Sequence, residues 1–250
     1  MNGHEAEAAQ GFARLRRWFL PEHHTLRIVF ARVAAWAVVA LAIAWLAYWG
    51  YGEHRKHVLP GIVIALVHDA STRLADALRG EVDASSHDAG IQTTLERHAI
   101  AADQSLLKLR DLDAAPVADL AAAADEYLLT AREMLRRRAA EYRYRGQVED
   151  SMVALRSHMR ADNRTGAWIG QAVRHKNQLE ADFRRYRITI TALTDLLEGY
   201  GGSRTRMGTH VRPSILWEEQ AAIAARTRIL GAFGTISGEV ERAGQLNAYH

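Results

Sequence analysis

Three residues of the 250-residue chain concentrate its chemical potential: Arg138, Tyr142 and Arg145, within RRRAAEYRYRG. Arg138 and Arg145 fall seven apart, so on a helix they share a side, with Tyr142 between them. Two guanidinium forks and a phenol hydroxyl turned into a bundle interior can hold a small anionic ligand, a carboxylate or a phosphate, through charge-assisted hydrogen bonds. The competing expectation is that the stretch projects beyond the bundle or shifts its register. Its arginines are then solvated, or paired with Glu133, Glu141 and Glu149, which lie within helical reach.

No other constellation rises to a reaction. The 12 histidines include His54 and His57, one turn apart, and His87 beside Asp88, but no H-E-x-x-H or comparable set of metal ligands. His98, His158, His175 and His210 stand singly and read as surface or packing residues. There is no glycine-rich phosphate loop and no G-x-S-x-G elbow. Cysteine is absent, which removes disulfide and thiol chemistry. The expectation is a non-enzymatic protein with no catalytic residue, no metal and no cofactor. Asn163-Arg164-Thr165 matches the glycosylation acceptor pattern, and in this alanine- and arginine-rich, bacterial-looking chain it reads as a chance match.

The element that dominates the chain is the apolar run Val33 to Tyr51, 19 residues without a charge. A helix needs about 20 such residues to cross the hydrocarbon core of a bilayer. Arg14, Arg16, Arg17, Arg27 and Arg32 precede the run, whereas only Arg55 and Lys56 follow closely, so the positive-inside tendency keeps the N-terminus in the cytoplasm. Trp45, Tyr48, Trp49 and Tyr51 gather at the exit end, where amphipathic rings favour the lipid–water boundary. An A-x-A pattern at Ala42 and Ala44 resembles a signal-peptidase site, but the long leader and long apolar run favour an uncleaved anchor. Ala37, Ala40, Ala44 and Ala47 repeat at spacings of three and four, a small-residue stripe suited to close packing of transmembrane helices.

The organisation expected is a basic, aromatic cytoplasmic tail over 1–27, a transmembrane helix over 28–52 and an extracytoplasmic, periplasmic helical bundle over 53–250. Up to Arg32 there are 5 Arg and 3 Glu; the rest of the chain holds 27 basic and 26 acidic residues and so is close to neutral. A near-neutral domain offers no basic face for nucleic acid. Beyond the run the sequence reads as all-α, an elongated antiparallel bundle of about four to five helices. The first of these carries Val63, Ile64, Leu66, Val67, Leu74 and Leu78, with Pro60 as a kink or a fresh start and Gly80 as its end. A helix over about 91–112 follows the loop GEVDASSHDAG, and Pro116 opens a long helix to Met159 whose stripe Val117, Leu120, Ala124, Leu128, Ala131, Leu135 is interrupted from Arg136 to Gly146.

The clearest repeat is Leu179, Phe183, Tyr186, Ile190, Leu193, Leu197, Tyr200, a heptad seam like that of a coiled coil. Lys176 extends that seam backwards, as a register lock or as a side chain reaching the rim. Gly199, Gly201 and Gly202 are expected to end this helix, and a last one uses Leu216, Ile223, Leu230, Phe233 and Val240. Together these features predict a bitopic protein of a bacterial inner membrane, contacting the lipid bilayer and either a protein partner or further copies of itself, as a scaffold in an envelope complex. In architecture alone the chain also resembles the input half of chemoreceptor-type proteins, which implies ligand sensing. It lacks their second span and cytoplasmic output domain, so signalling would pass through a partner.

Overall fold

The computed structural model describes residues 23–79, 88–160 and 166–245, with side chains from Val33 onward except those at 51, 52 and 54. All regular structure among these residues is helical. Helix α1 spans His23–Arg79, α2 Ala89–Asp111, α3 Ala118–Met159, α4 Gly166–Gly208 and α5 Glu219–Gln245. Short 3₁₀ turns at Ala115–Val117 and Pro213–Ile215 precede α3 and α5, each with proline in its first turn, where a missing N–H is harmless. Asp88 caps α2, its Oδ1 accepting from the N–H groups of Gly90 (2.8 Å) and Ile91 (3.3 Å).

The chain divides into two compact units, Met1–His57 and Val58–His250. In the first, every described side chain from Val33 to Gly50 is exposed, and an 18-residue stretch with mean hydropathy 1.8 has no buried residue. This helix is long and apolar enough to cross a membrane.

The second unit is a helical bundle. Its core takes one stripe from each helix: Leu59, Val63, Val67, Ala70 and Leu74 from α1; Leu95, Ala102, Leu106 and Leu109 from α2; Ala124, Leu128 and Leu135 from α3; and Ala222, Ala225, Ile229 and Ile236 from α5. The heptad seam supplies α4, with Leu179, Tyr186, Ile190, Leu193, Leu197 and Tyr200 buried and Phe183 stacked on Phe233, ring centroids 5.8 Å apart. Contacts show an up-and-down order. Arg136 meets Asp103 and Arg110 meets Asp125, so α3 ascends as α2 descends. His158 meets Trp168, Ser151 meets Asp182 and Tyr127 meets Tyr200, which makes α3 and α4 antiparallel along their length. Arg226 pairs with Glu198 and Tyr186 packs on Phe233, turning α5 back along α4.

Three boundaries differ from the sequence reading, while the long helix to Met159 is found as expected. α1 passes through Pro60 with no fresh start, α4 continues through Gly199, Gly201 and Gly202, and Leu216 precedes α5. Packing decides each case. A glycine costs about 1 kcal/mol in a helix interior, but the same turns of α4 bury Leu197, Tyr200, Ser203 and Met207, and the helix stops only where Met207 oxygen accepts the N–H groups of His210 and Val211. Gly201 also leaves room for α5: a Cβ there would lie 2.9 Å from Glu219 Oε1.

Gly199 and Gly202 are exposed, and a Cβ on either meets nothing within 4 Å. The double substitution Gly199→Ala/Gly202→Ala is therefore expected to raise the unfolding free energy by about 1–2 kcal/mol in chemical denaturation, through helix propensity alone. A loss of stability would instead mean that the chain turns at these glycines.

Candidate functional site

Polar groups enter the bundle core at separate levels. At one, a small polar residue on the buried stripe of α1, Ser71, places Oγ 2.7 Å from Tyr127 Oη, which lies 3.1 Å from Tyr200 Oη. The Tyr200 hydroxyl donates to the Trp217 carbonyl at 2.8 Å, and Ser71 Oγ donates to the Val67 carbonyl at 2.9 Å. Trp217 N–H donates back to Tyr127 Oη at 3.4 Å, and Arg204 Nε donates to the same Trp217 carbonyl at 3.0 Å. Burial, reinforced by the neighbouring Tyr127, pushes the Tyr200 hydroxyl far above its ordinary pKa and keeps it neutral. The chain of hydroxyls ties α1, α3, α4 and the α4–α5 connection together.

The second level holds Arg138. It occupies the next position of the α3 stripe, as its spacing predicts, and is 5% exposed. Its guanidinium makes an ion pair with Glu141, itself 1% exposed, while Nε donates to the Ala77 carbonyl at 3.3 Å. Ala77 lies in the last described turn of α1. Arg228 of α5 binds the next two carbonyls, donating to Leu78 oxygen at 2.7 Å and Arg79 oxygen at 3.5 Å. Arg138 thus ties α3 to the α1 backbone, and Glu141 is the counter-charge that makes its burial tolerable.

Tyr142 and Arg145 diverge from this arrangement. Tyr142 Oη donates to the Asp88 carbonyl (3.4 Å) and lies 3.2 Å from the Asp88 N–H, closing the start of α2 against α3. Arg145 pairs with Glu149 at 3.0 Å, and Arg137 with Glu133 at 2.8 Å. The three acids within helical reach are accordingly the three partners, and the stretch neither projects nor shifts register. Nearby, Tyr186 Oη is buried with no hydrogen-bond partner; burial first, and then Glu141, raises its pKa. Asp182 is buried and accepts from Ser151 Oγ at 2.7 Å and Gln178 Nε2 at 2.9 Å.

Between α1, α2 and α3 lies a cavity of about 480 Å³ lined by Asp76, Ala77, Asp88, Ile91, Thr94, Leu95, His98, Arg138 and Tyr142. This size suits a small molecule. Burial, aided by the Arg73 charge, lowers the His98 pKa, so its ring is neutral at neutral pH. A groove of about 430 Å³ between α1 and α5 has Trp217 and Leu216 against Ala75 and Ala221.

The remaining candidates stay apart. Among the described residues no group of three metal-ligating side chains forms. His158 clasps the α3–α4 corner, its Nε2 2.9 Å from the Trp168 carbonyl while Trp168 Nε1 donates to His158 oxygen at 3.1 Å. Lys176 sits 3.9 Å from Glu180 and is half-exposed, the rim position. Ala37, Ala40, Ala44 and Ala47 are exposed on the apolar helix. The hydroxyl chain escaped the sequence reading; its available signal was Ser71, one polar side chain on an otherwise apolar stripe. No protein-family model, curated protein or solved structure matches the chain.

Removing one member of the Arg138–Glu141 pair leaves a buried unpaired charge, which costs about 3–5 kcal/mol, whereas an apolar pair of similar volume is nearly neutral. Arg138→Met and Glu141→Leu are each expected to destabilise by that amount and their combination by clearly less, in urea denaturation followed by helical circular dichroism. Additive losses would contradict the pairing.

Proposed function

We propose that this chain is a bitopic membrane protein that holds a non-catalytic helical bundle on the periplasmic side of a bacterial inner membrane, as a scaffold or interaction component of an envelope complex. The observation that carries the reading is the apolar helix. Ten large apolar side chains between Val33 and Trp49 are 44–80% exposed. Covering each is worth about 1.5–3 kcal/mol, so together they represent more free energy than the whole 5–15 kcal/mol stability of an ordinary domain. Such a surface does not persist in water. Lipid is the cover that a charge-free stretch of this length fits, and the arginines before it set the direction.

The scaffold reading draws on two further features. In RRRAAEYRYRG, Arg136, Arg137, Arg138, Glu141 and Arg145 are held in ion pairs, which supports a structural reading of that stretch. On α2, Ile100 and Leu107 lie seven residues apart and are 58% and 60% exposed, a helix face for contact with a protein partner or a second copy. A second reading, ligand sensing through a partner, rests on the cavity between α1, α2 and α3.

Membrane anchorage predicts that the full-length chain stays in the membrane pellet through alkaline carbonate extraction. Leu41→Arg/Ile43→Arg, placing two charges in the span, is expected to move it into the soluble fraction. Recovery of the wild-type chain in the supernatant would overturn the reading.

A further inference from the structure

We propose that the cavity between α1, α2 and α3 is a binding site for a small organic cation, an ammonium ion carrying a compact apolar body. The inference concerns the bundle alone and holds whether or not the chain is anchored.

It follows from a charge inventory of the lining. Two features there favour anions on their own, and each is already neutralised from within. Arg138 is bound to Glu141 and to the Ala77 carbonyl. The N-terminus of α2, with its unpaired N–H groups and positive end of the helix dipole, is occupied by the Asp88 carboxylate, whose Oδ1 takes the Gly90 and Ile91 N–H groups. His98 adds no charge near neutral pH. What is left over is negative. Asp76 lines the cavity, is exposed, and makes no ion pair or hydrogen bond among the described residues. Nearby Arg73 is held by Asp69 through two bonds, at 2.8 and 2.9 Å. Among the described residues the lining therefore has one carboxylate without an ion pair, a second, Asp88, engaged through Oδ1 in the cap, and no cation without a carboxylate partner.

The rest of the lining fits the apolar part of such a ligand. Ala77 and Leu95 are buried walls, Ile91 adds an aliphatic edge, and the Thr94 hydroxyl is turned back to the Gly90 carbonyl at 2.8 Å. The arrangement places an ammonium at Asp76 and an aliphatic or aromatic body along Ile91 and Leu95. Carboxylates and phosphates, the ligands that the arginine spacing suggested, meet Asp76 and Asp88 there and an Arg138 already paired with Glu141.

The test compares two probes of one shape and opposite charge, phenethylamine and phenylacetate, titrated calorimetrically into the full-length protein in nanodiscs of zwitterionic lipid. Phenethylamine is expected to bind and phenylacetate to give no heat. Asp76→Asn, at an exposed position without a partner, is expected to weaken the amine about tenfold. Thr94→Lys, which puts a resident ammonium into the cavity from an exposed position, should abolish it at unchanged thermal stability. Binding of phenylacetate, absence of amine binding, or amine binding indifferent to both substitutions would each overturn the proposal.

Discussion

One buried ion pair, Arg138 with Glu141, sets the terms for the rest of the bundle. Guanidinium groups from two other helices bind the last described turn of α1: Arg138 of α3 reaches the Ala77 carbonyl, and Arg228 of α5 reaches those of Leu78 and Arg79. Because arginine is long and forked, it reaches these carbonyls from neighbouring helices without breaking their apolar stripes. The arrangement fixes the height of α3 and α5 against α1, and it demands Glu141, since a guanidinium buried this deeply needs a countercharge.

The hydroxyl chain answers the same requirement at another level. Up-and-down helices with apolar stripes can slide past one another by a turn and still set apolar residues against apolar residues. Hydrogen bonds are less tolerant. Ser71, Tyr127, Tyr200 and the Trp217 carbonyl align only at one register, and a slip would bury several polar atoms unpaired. The stabilisation comes mainly from the apolar seams, whereas these polar levels select one packing among many.

The apolar seams were legible in the sequence because spacing alone determines which residues of a helix share a side. The α4 heptad, the α1 stripe and the placement of Arg138 as the continuation of the α3 stripe all follow from counting by threes and fours. So do the partners Glu133, Glu141 and Glu149, which lie three or four residues from their arginines. What spacing does not carry is any relation between helices. That Arg138 serves the Ala77 carbonyl, 61 residues away, and that Asp76, His98 and Tyr142 line one cavity, depend on how three helices meet. The glycines of α4 misled for a related reason: a local preference for ending a helix was outweighed by side chains buried on the same turns.

The account rests on residues 59–79 of α1 being an integral helix of the bundle, held along its buried stripe and through the carbonyls of Ala77, Leu78 and Arg79. Hydrogen–deuterium exchange of the full-length protein in lipid nanodiscs tests this directly. Amides of residues 63–79 are expected to exchange as slowly as those of the α4 seam from 186 to 200, since both would open only with the whole bundle. Fast exchange throughout 63–79, with α3 and α4 still protected, would show that the bundle closes without α1 and would contradict the account.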